Sequence, residues 1–394
     1  MGKALTDRVL EYIKGQDGYL IDLLKHLVDA ESPSAHPSSH GPTRHAFIGA
    51  LKELGLYVRE VGPPGGPRHI YARPENKGRH GRTQLLVGHY DTVWPLGTLA
   101  ERPFNVDGNI IRGPGVFDMK GGLVQIALAL KTIQHLKLQV PNIPLVFVNA
   151  DEEIGSRTST RYIRWLARHA DRAFILEPAM GEDGKIKTER KGIGKFTVTV
   201  FGKAAHAGLD PESGASAILE LSHVIQKLFA MNDVDKGITV NVGTVDGGIQ
   251  ANVVAPHSTA VVDVRVPTIE DGRQIQERIC ALEPEVEGVR LRIEGGIGRP
   301  SMEATPANRA LWLQAESIGA KLGLDLHQAM AGGGSDGNTT SQYTATLDGL
   351  GPVGDGAHAK HEFLYIDKTL ERTALLTMLM LAPTITKPAL EKIA

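Results

Sequence analysis

The stretch LLVGHYDTVWP, Leu85 to Pro95, opens as an apolar strand and closes on His89 and Asp91, two polar residues spaced two apart. Side chains alternate between the faces of a strand, so this pair points the same way. A strand this apolar is buried on both faces, as in a parallel sheet covered by helices on each side. The pattern recurs downstream. IPLVFVNA ends at Ala150 and runs into Asp151, Glu152 and Glu153; AFIL runs into Glu177; and the glycine-rich turn GPGVFDMKGG carries Asp118. Helical periodicity separates these strands, in GGLVQIALALKTIQHL and RTSTRYIRWLARHA. The chain therefore starts as an α/β fold with a mostly parallel sheet sandwiched by helices.

Whole-chain composition narrows the function classes. A chain of 394 residues exceeds one ordinary core, so two domains, or one domain with a large insertion, are expected. It is 41% hydrophobic and 22% charged with a formal net charge of -2, which provides no field to gather nucleic acid or an acidic membrane surface. Its single cysteine, Cys280, excludes an intramolecular disulfide and a thiolate cluster, so any metal site must use His, Asp and Glu. The N-terminal segment interrupts its apolar positions with charges, and no segment has the apolar run of a membrane span, so a cytoplasmic location is expected. Gly2 and Thr6 fit the myristoylation pattern, which is too short to carry weight.

Near Lys187 the pattern changes. GKFTVTVFG alternates like a half-exposed strand, and the segments after it read as helix, strand, strand, helix and strand, ending with VRLRIEGG. That order is the split βαβ arrangement of a ferredoxin-like sandwich. Residues 187–298 are expected to form an inserted domain between two parts of a first domain, residues 1–186 and 299–394.

In an open parallel sheet the carboxyl ends of the strands form the ligand-binding crevice, so His89, Asp118, the 151–153 acids and Glu177 should converge there. Clustered carboxylates repel one another and need a compensating cation, and with histidine they make an oxygen and nitrogen site suited to zinc, cobalt or manganese. Singly, each has a plainer reading: His89 as a hydrogen-bonded loop residue, Asp118 as a helix cap, Glu152 and Glu153 as solvated acids. Their joint occurrence after successive apolar strands favours the metal site. Two G-x-G-x-x-G matches, Gly332–Gly337 and Gly349–Gly354, lack the strand, tight turn and long helix of a dinucleotide site, which disfavours an oxidoreductase.

GHYDTV, GPGVFDMKGG, ADEEIGS, ILEP, GKAAHAG, GGSDGN and GLGPVGDGAHAKHE occur in an order and spacing that resembles the dinuclear zinc peptidases and deacylases. That family includes glutamate carboxypeptidase, acetylornithine deacetylase, succinyl-diaminopimelate desuccinylase and aminoacylase; the resemblance spans nearly the whole chain and looks closest to the glutamate carboxypeptidase branch. It implies two zinc ions per chain, with cobalt or manganese as substitutes, His89 and Glu177 on one metal, Glu153 and His358 on the other, and Asp118 bridging them. Asp91 would orient the His89 ring and Glu152 would be the general base. The inserted domain would form a homodimer and send His206 across the interface as an oxyanion donor, while Asn252, Arg299 and, more weakly, Arg265 would recognise the substrate.

GGSDGN departs from the family pattern at Gly337 and Asn338, and AHAKHE offers His361 as a second candidate beside His358. The activity implied is hydrolysis of an amide beside a free carboxylate in a small peptide or N-acyl amino acid. A carboxypeptidase releasing a residue such as glutamate is preferred; an N-acyl-amino-acid deacylase is the alternative, and a non-catalytic metal-binding relative a remote one.

Overall fold

A computed structural model describes residues 3–75 and 81–385; Gly2 lies outside them. The chain divides into two compact units, one of Met1–Thr188, Ala304–Met330 and Ser335–Ala394, the other of Glu189–Glu303 and Ala331–Gly334.

The first unit is built on a six-stranded sheet in the spatial order Leu56–Val61, His69–Pro74, Ile143–Asn149, Thr83–His89, Arg172–Ile175, Ala345–Leu347. The last four are mutually parallel and the first two form an antiparallel edge. All seven residues of Thr83–His89 are buried, the apolar run Leu85–Val87 at the centre and the polar Thr83, Gln84 and His89 toward the ends. Alternation then divides its side chains between two cores. Leu86, Val146 and Phe174 face the helices Lys3–Lys14, Asp17–Val28, Gly41–Glu53, Gly121–His135, Pro306–Leu322 and Ile366–Leu381. Leu85, Val87, Leu145, Phe147 and Ile175 face the single helix Thr160–His169.

Register sets where the polar residues emerge. His89 pairs with Asn149 and Val87 with Ile175, so the three central strands end level. Two residues beyond the Val87–Ile175 pair stand His89 and Glu177, and just beyond Asn149 stand Glu152 and Glu153. Glycine lets the neighbouring backbones close on this end: a Cβ at Gly122 would lie 2.1 Å from the Leu176 carbonyl oxygen, and one at Gly351 2.2 Å from the same oxygen. A small antiparallel sheet of Asn105–Asp107, Ile110–Arg112, Phe363–Tyr365 and Gly354–Asp355 carries the loops of Asp118 and His358.

The second unit has a four-stranded antiparallel sheet in the order Thr239–Gly247, His257–Val266, Gly192–Phe201, Arg290–Arg299. With two helices, Ala217–Phe229 and Ile269–Cys280, its element order is strand, helix, strand, strand, helix, strand, the ferredoxin-like arrangement. Ser216 and Thr268 cap these helices by accepting the N–H of Leu219 and Asp271. Phe196, Val198, Val262 and Val264 pack against Val224, Leu228, Ile275 and Ile279. Cys280 is exposed at the end of the second helix. Among the described residues no helix is long and apolar enough to cross a membrane.

Candidate metal centre

His89 is the last residue of its strand and 1% exposed. Its Nδ1 lies 2.9 Å from the Asp91 carbonyl oxygen, so Nδ1–H donates there and Nε2 faces the carboxylates. Nε2 is 3.4 Å from Asp118 Oδ1 and 3.5 Å from Glu177 Oε1. On the other side, His358 Nε2 is 3.1 Å from Glu153 Oε2 and 3.4 Å from Asp118 Oδ2. Asp118 thus turns one oxygen to each histidine. Its peptide bond to Met119 is cis.

The donor set fits divalent metals. Ligands about 2.0–2.2 Å from a tetrahedral metal stand roughly 3.4 Å from one another, close to the spacings here and longer than good hydrogen bonds. Asp118 Oδ1 and Glu153 Oε1 are buried and accept no hydrogen bond, as ligand oxygens would be without their cation. Glu152 joins the cluster: ligand atoms of His89, Glu152 and Glu177 lie within 4.8 Å of one another, as do those of His89, Asp118 and Glu153.

The carboxylates raise the proton affinity of both imidazoles. Burial alone would lower the His89 pKa, but Asp118, Asp91 and Glu177 outweigh it and raise it well above the ordinary value. Asp118 and Glu153 push His358 up to about 10. Burial raises Asp118, yet His358 and His89 hold it below the usual carboxylate range. Glu153 is raised by burial, which His358 only partly offsets.

Asp91 links this cluster to its support. Its carboxylate accepts the Ser34 hydroxyl at 2.7 Å and the N–H groups of Glu152 and Glu153 at 3.2 and 3.3 Å, and lies 3.5 Å from His89 Nδ1. Asp91 therefore anchors the backbone of the 152–153 pair while its carbonyl orients His89. Neighbouring Asp151 accepts Thr158 and Ser159 instead, and shapes the entry to the next helix.

A family model described as the M20 peptidase dimerisation domain matches residues 188–282. Carboxypeptidase G2 of Pseudomonas sp. (strain RS-16) is 29% identical over 376 residues, covering 92% of this chain and 88% of that protein. The chain is thus similar to M20 peptidases along most of its length. It is a metal-dependent peptidase or amidohydrolase. Solved structures share its fold. Aminopeptidase PepT from Bacillus cereus has a TM-score of 0.73 at 21% identity, covering 92% of this chain and 98% of its own. An M20 family metallo-carboxypeptidase from Sulfolobus solfataricus has a TM-score of 0.68 at 16% identity, covering 93% and 99%.

The second unit holds the other candidates. His206 is exposed, and its Nδ1 accepts the N–H of Gly208 at 3.2 Å and Leu209 at 3.1 Å, which leaves the proton on Nε2. The Ala207 N–H donates to the Asn252 carbonyl at 3.0 Å, so His206 and Asn252 stand on adjoining segments. Arg265 and Arg299 flank Ile193 from the two neighbouring strands. Arg265 already holds the Asp263 carboxylate, at 2.8 and 3.1 Å.

In the first unit, His361 stands apart from the metal cluster, 62% exposed with Nε2 3.6 Å from Asp355. The departures at Gly337 and Asn338 build a tight turn: a Cβ at Gly337 would lie 2.3 Å from Asp348 Oδ2, and the Asn338 side chain accepts the Ser335 N–H at 2.9 Å. Sequence reasoning passed over Glu362, which is 1% exposed and receives the N–H groups of Gly115, Phe117 and Asp118. Its only signal was an acid directly ahead of the apolar strand Phe363–Tyr365.

Proposed function

We propose that this chain hydrolyses an amide bond beside a free carboxylate, acting as a carboxypeptidase that releases a C-terminal amino acid such as glutamate from a peptide or N-acyl conjugate. The observation that carries the reading is Asp118, with one oxygen toward His89 and Glu177 and the other toward His358 and Glu153. These five residues would hold two divalent cations, zinc by donor type. Bound there, the pair would lower the pKa of a water toward neutrality.

The chain's own groups supply the rest. Glu152, whose backbone is anchored on Asp91, takes the proton of the attacking water and delivers it to the leaving amine. His206, with its Nε2–H turned outward, reaches from one subunit of a homodimer into its partner's site and donates to the tetrahedral oxyanion. The match of residues 188–282 to a dimerisation domain supports that arrangement. Asn252 and Arg299 recognise the substrate, the arginine by a bidentate contact with its carboxylate. Arg265 is the weaker candidate because Asp263 occupies it. Similarity to carboxypeptidase G2 along 92% of the chain supports the carboxypeptidase over a deacylase.

The test is Glu152→Gln. It should retain both metals by elemental analysis and lose about 10²–10⁴-fold in turnover on C-terminal glutamyl dipeptides. Near-normal turnover would remove Glu152 from the mechanism, and cleavage of N-acetyl amino acids alone would shift the assignment to a deacylase.

A further inference from the structure

Glu362 is a buried carboxylate with every acceptor position used. Oε2 accepts the Trp94 Nε1–H and the Gly115 N–H, both at 2.8 Å; Oε1 accepts the N–H of Phe117 at 3.0 Å and of Asp118 at 3.1 Å. Four donors fill the four lone-pair sites of an ionised carboxyl group. Such an anion inside a protein needs this satisfaction to be tolerated.

The donors come from segments that also carry proposed ligands. Trp94 follows the strand that ends on His89, and Gly115 to Asp118 is the turn that presents Asp118. Glu362 itself lies four residues beyond His358. The intervening turn is closed by the Ala359 N–H to the Gly356 carbonyl at 2.8 Å and the Glu362 N–H to the Ala359 carbonyl at 3.1 Å. Beyond it, Phe363–Tyr365 pairs with Ile110–Arg112, the strand leading into the Asp118 turn.

The two histidines are held very differently. His89 is buried and fixed by its strand and the Asp91 carbonyl. His358 is 54% exposed on a loop, at a φ of 60°. Ordering an exposed side chain for a ligand costs conformational entropy, so the loop needs a tether. Among the described residues, the His358 loop is pinned to the Asp118 turn through Glu362.

We propose that Glu362 is a positioning residue for the metal held on the His358 side: it clamps the glycine-rich turn, the Trp94 segment and the C-terminal loop together, fixing the separation between Asp118 and His358. This rests on the reading of Asp118, Glu153 and His358 as metal ligands. Glu362→Gln places an NH2 donor where two N–H donors already point. At least two of the four hydrogen bonds are lost, and the turn moves relative to the loop.

The experiment is zinc binding to metal-depleted wild type, His358→Ala and Glu362→Gln by competition with a chromophoric chelator, alongside the melting temperature with and without zinc. Wild type should bind two equivalents with two distinguishable affinities, and His358→Ala identifies which of them depends on His358. Glu362→Gln should weaken that equivalent about 10–100-fold and leave the other nearly unchanged. Its zinc-free melting temperature should fall, because buried hydrogen bonds are lost, and the further gain on adding zinc should also shrink.

Wild-type affinities for both equivalents in Glu362→Gln would overturn the inference while leaving the two-metal reading intact. Equal weakening of both would also overturn it, because that is what a purely structural role does. Wild type binding no zinc would remove the reading beneath it. If Glu362→Gln does not fold, Trp94→Phe removes one donor and carries the same test. About threefold weakening of the His358-dependent equivalent supports the clamp, and unchanged binding of both overturns it.

Discussion

Asp118, His89 and His358 form a charge arrangement that a proton or a metal can complete. Without metal, Asp118 and Glu153 raise His358 to about 10, and His89 is held well above its ordinary value. His358 is therefore protonated at neutral pH and must lose its proton to bind metal, and the raised His89 pKa makes metal compete with a proton there too. Zinc loading at pH 7 should release protons, measured by calorimetry in buffers of different ionisation enthalpy, and zinc affinity should rise with pH below about 10. His358→Ala should release about one proton fewer; equal release would mean that His358 is not displaced by the metal. The neighbouring His361 offers a sharp contrast. His361→Ala should leave turnover within about threefold of wild type, whereas His358→Ala should lower it about 100-fold or more, and reversed effects would exchange their roles.

At the scale of elements, the parallel sheet was legible because its central strands carry the apolar runs Leu85–Val87, Pro144–Val148 and Ala173–Leu176, and burial on both faces leaves no polar alternation to read within them. Level strand ends then place His89, Glu177 and the 152–153 pair together. Contacts between distant segments were not legible. Glu362 meets donors 244 to 268 residues away, and Asp91 meets Glu152 and Glu153 across 61 and 62, so neither contact leaves a periodic trace. The Arg265–Asp263 pair was within reach, since residues two apart on a strand share a face. The close packing at Gly122 has an energetic consequence. Alanine would gain about 0.5–1 kcal/mol in helix propensity but meet the Leu176 carbonyl oxygen at 2.1 Å. Overpacking should win, and Gly122→Ala should lose about 1–3 kcal/mol in urea denaturation. An unchanged midpoint would mean that the backbone ahead of Glu177 is free to shift.

At the scale of the whole molecule, the ferredoxin-like order of the second unit was legible from its alternating strands and is matched by a dimerisation-domain model. The proposed trans role of His206 gives a sharp expectation. Inactive His206→Ala mixed with inactive Glu152→Gln should regain activity as subunits exchange, because one site of each heterodimer has both an intact Glu152 and an intact His206 from its partner. No recovery despite demonstrated exchange would place His206 in its own subunit's site or outside the reaction. The central proposal, that this chain cleaves an amide with two divalent cations, is tested most directly by titrating zinc into the metal-depleted enzyme while following release of glutamate from a C-terminal glutamyl dipeptide. Turnover should rise to a plateau at about two equivalents per chain. A plateau at one equivalent, or release independent of zinc, would contradict it.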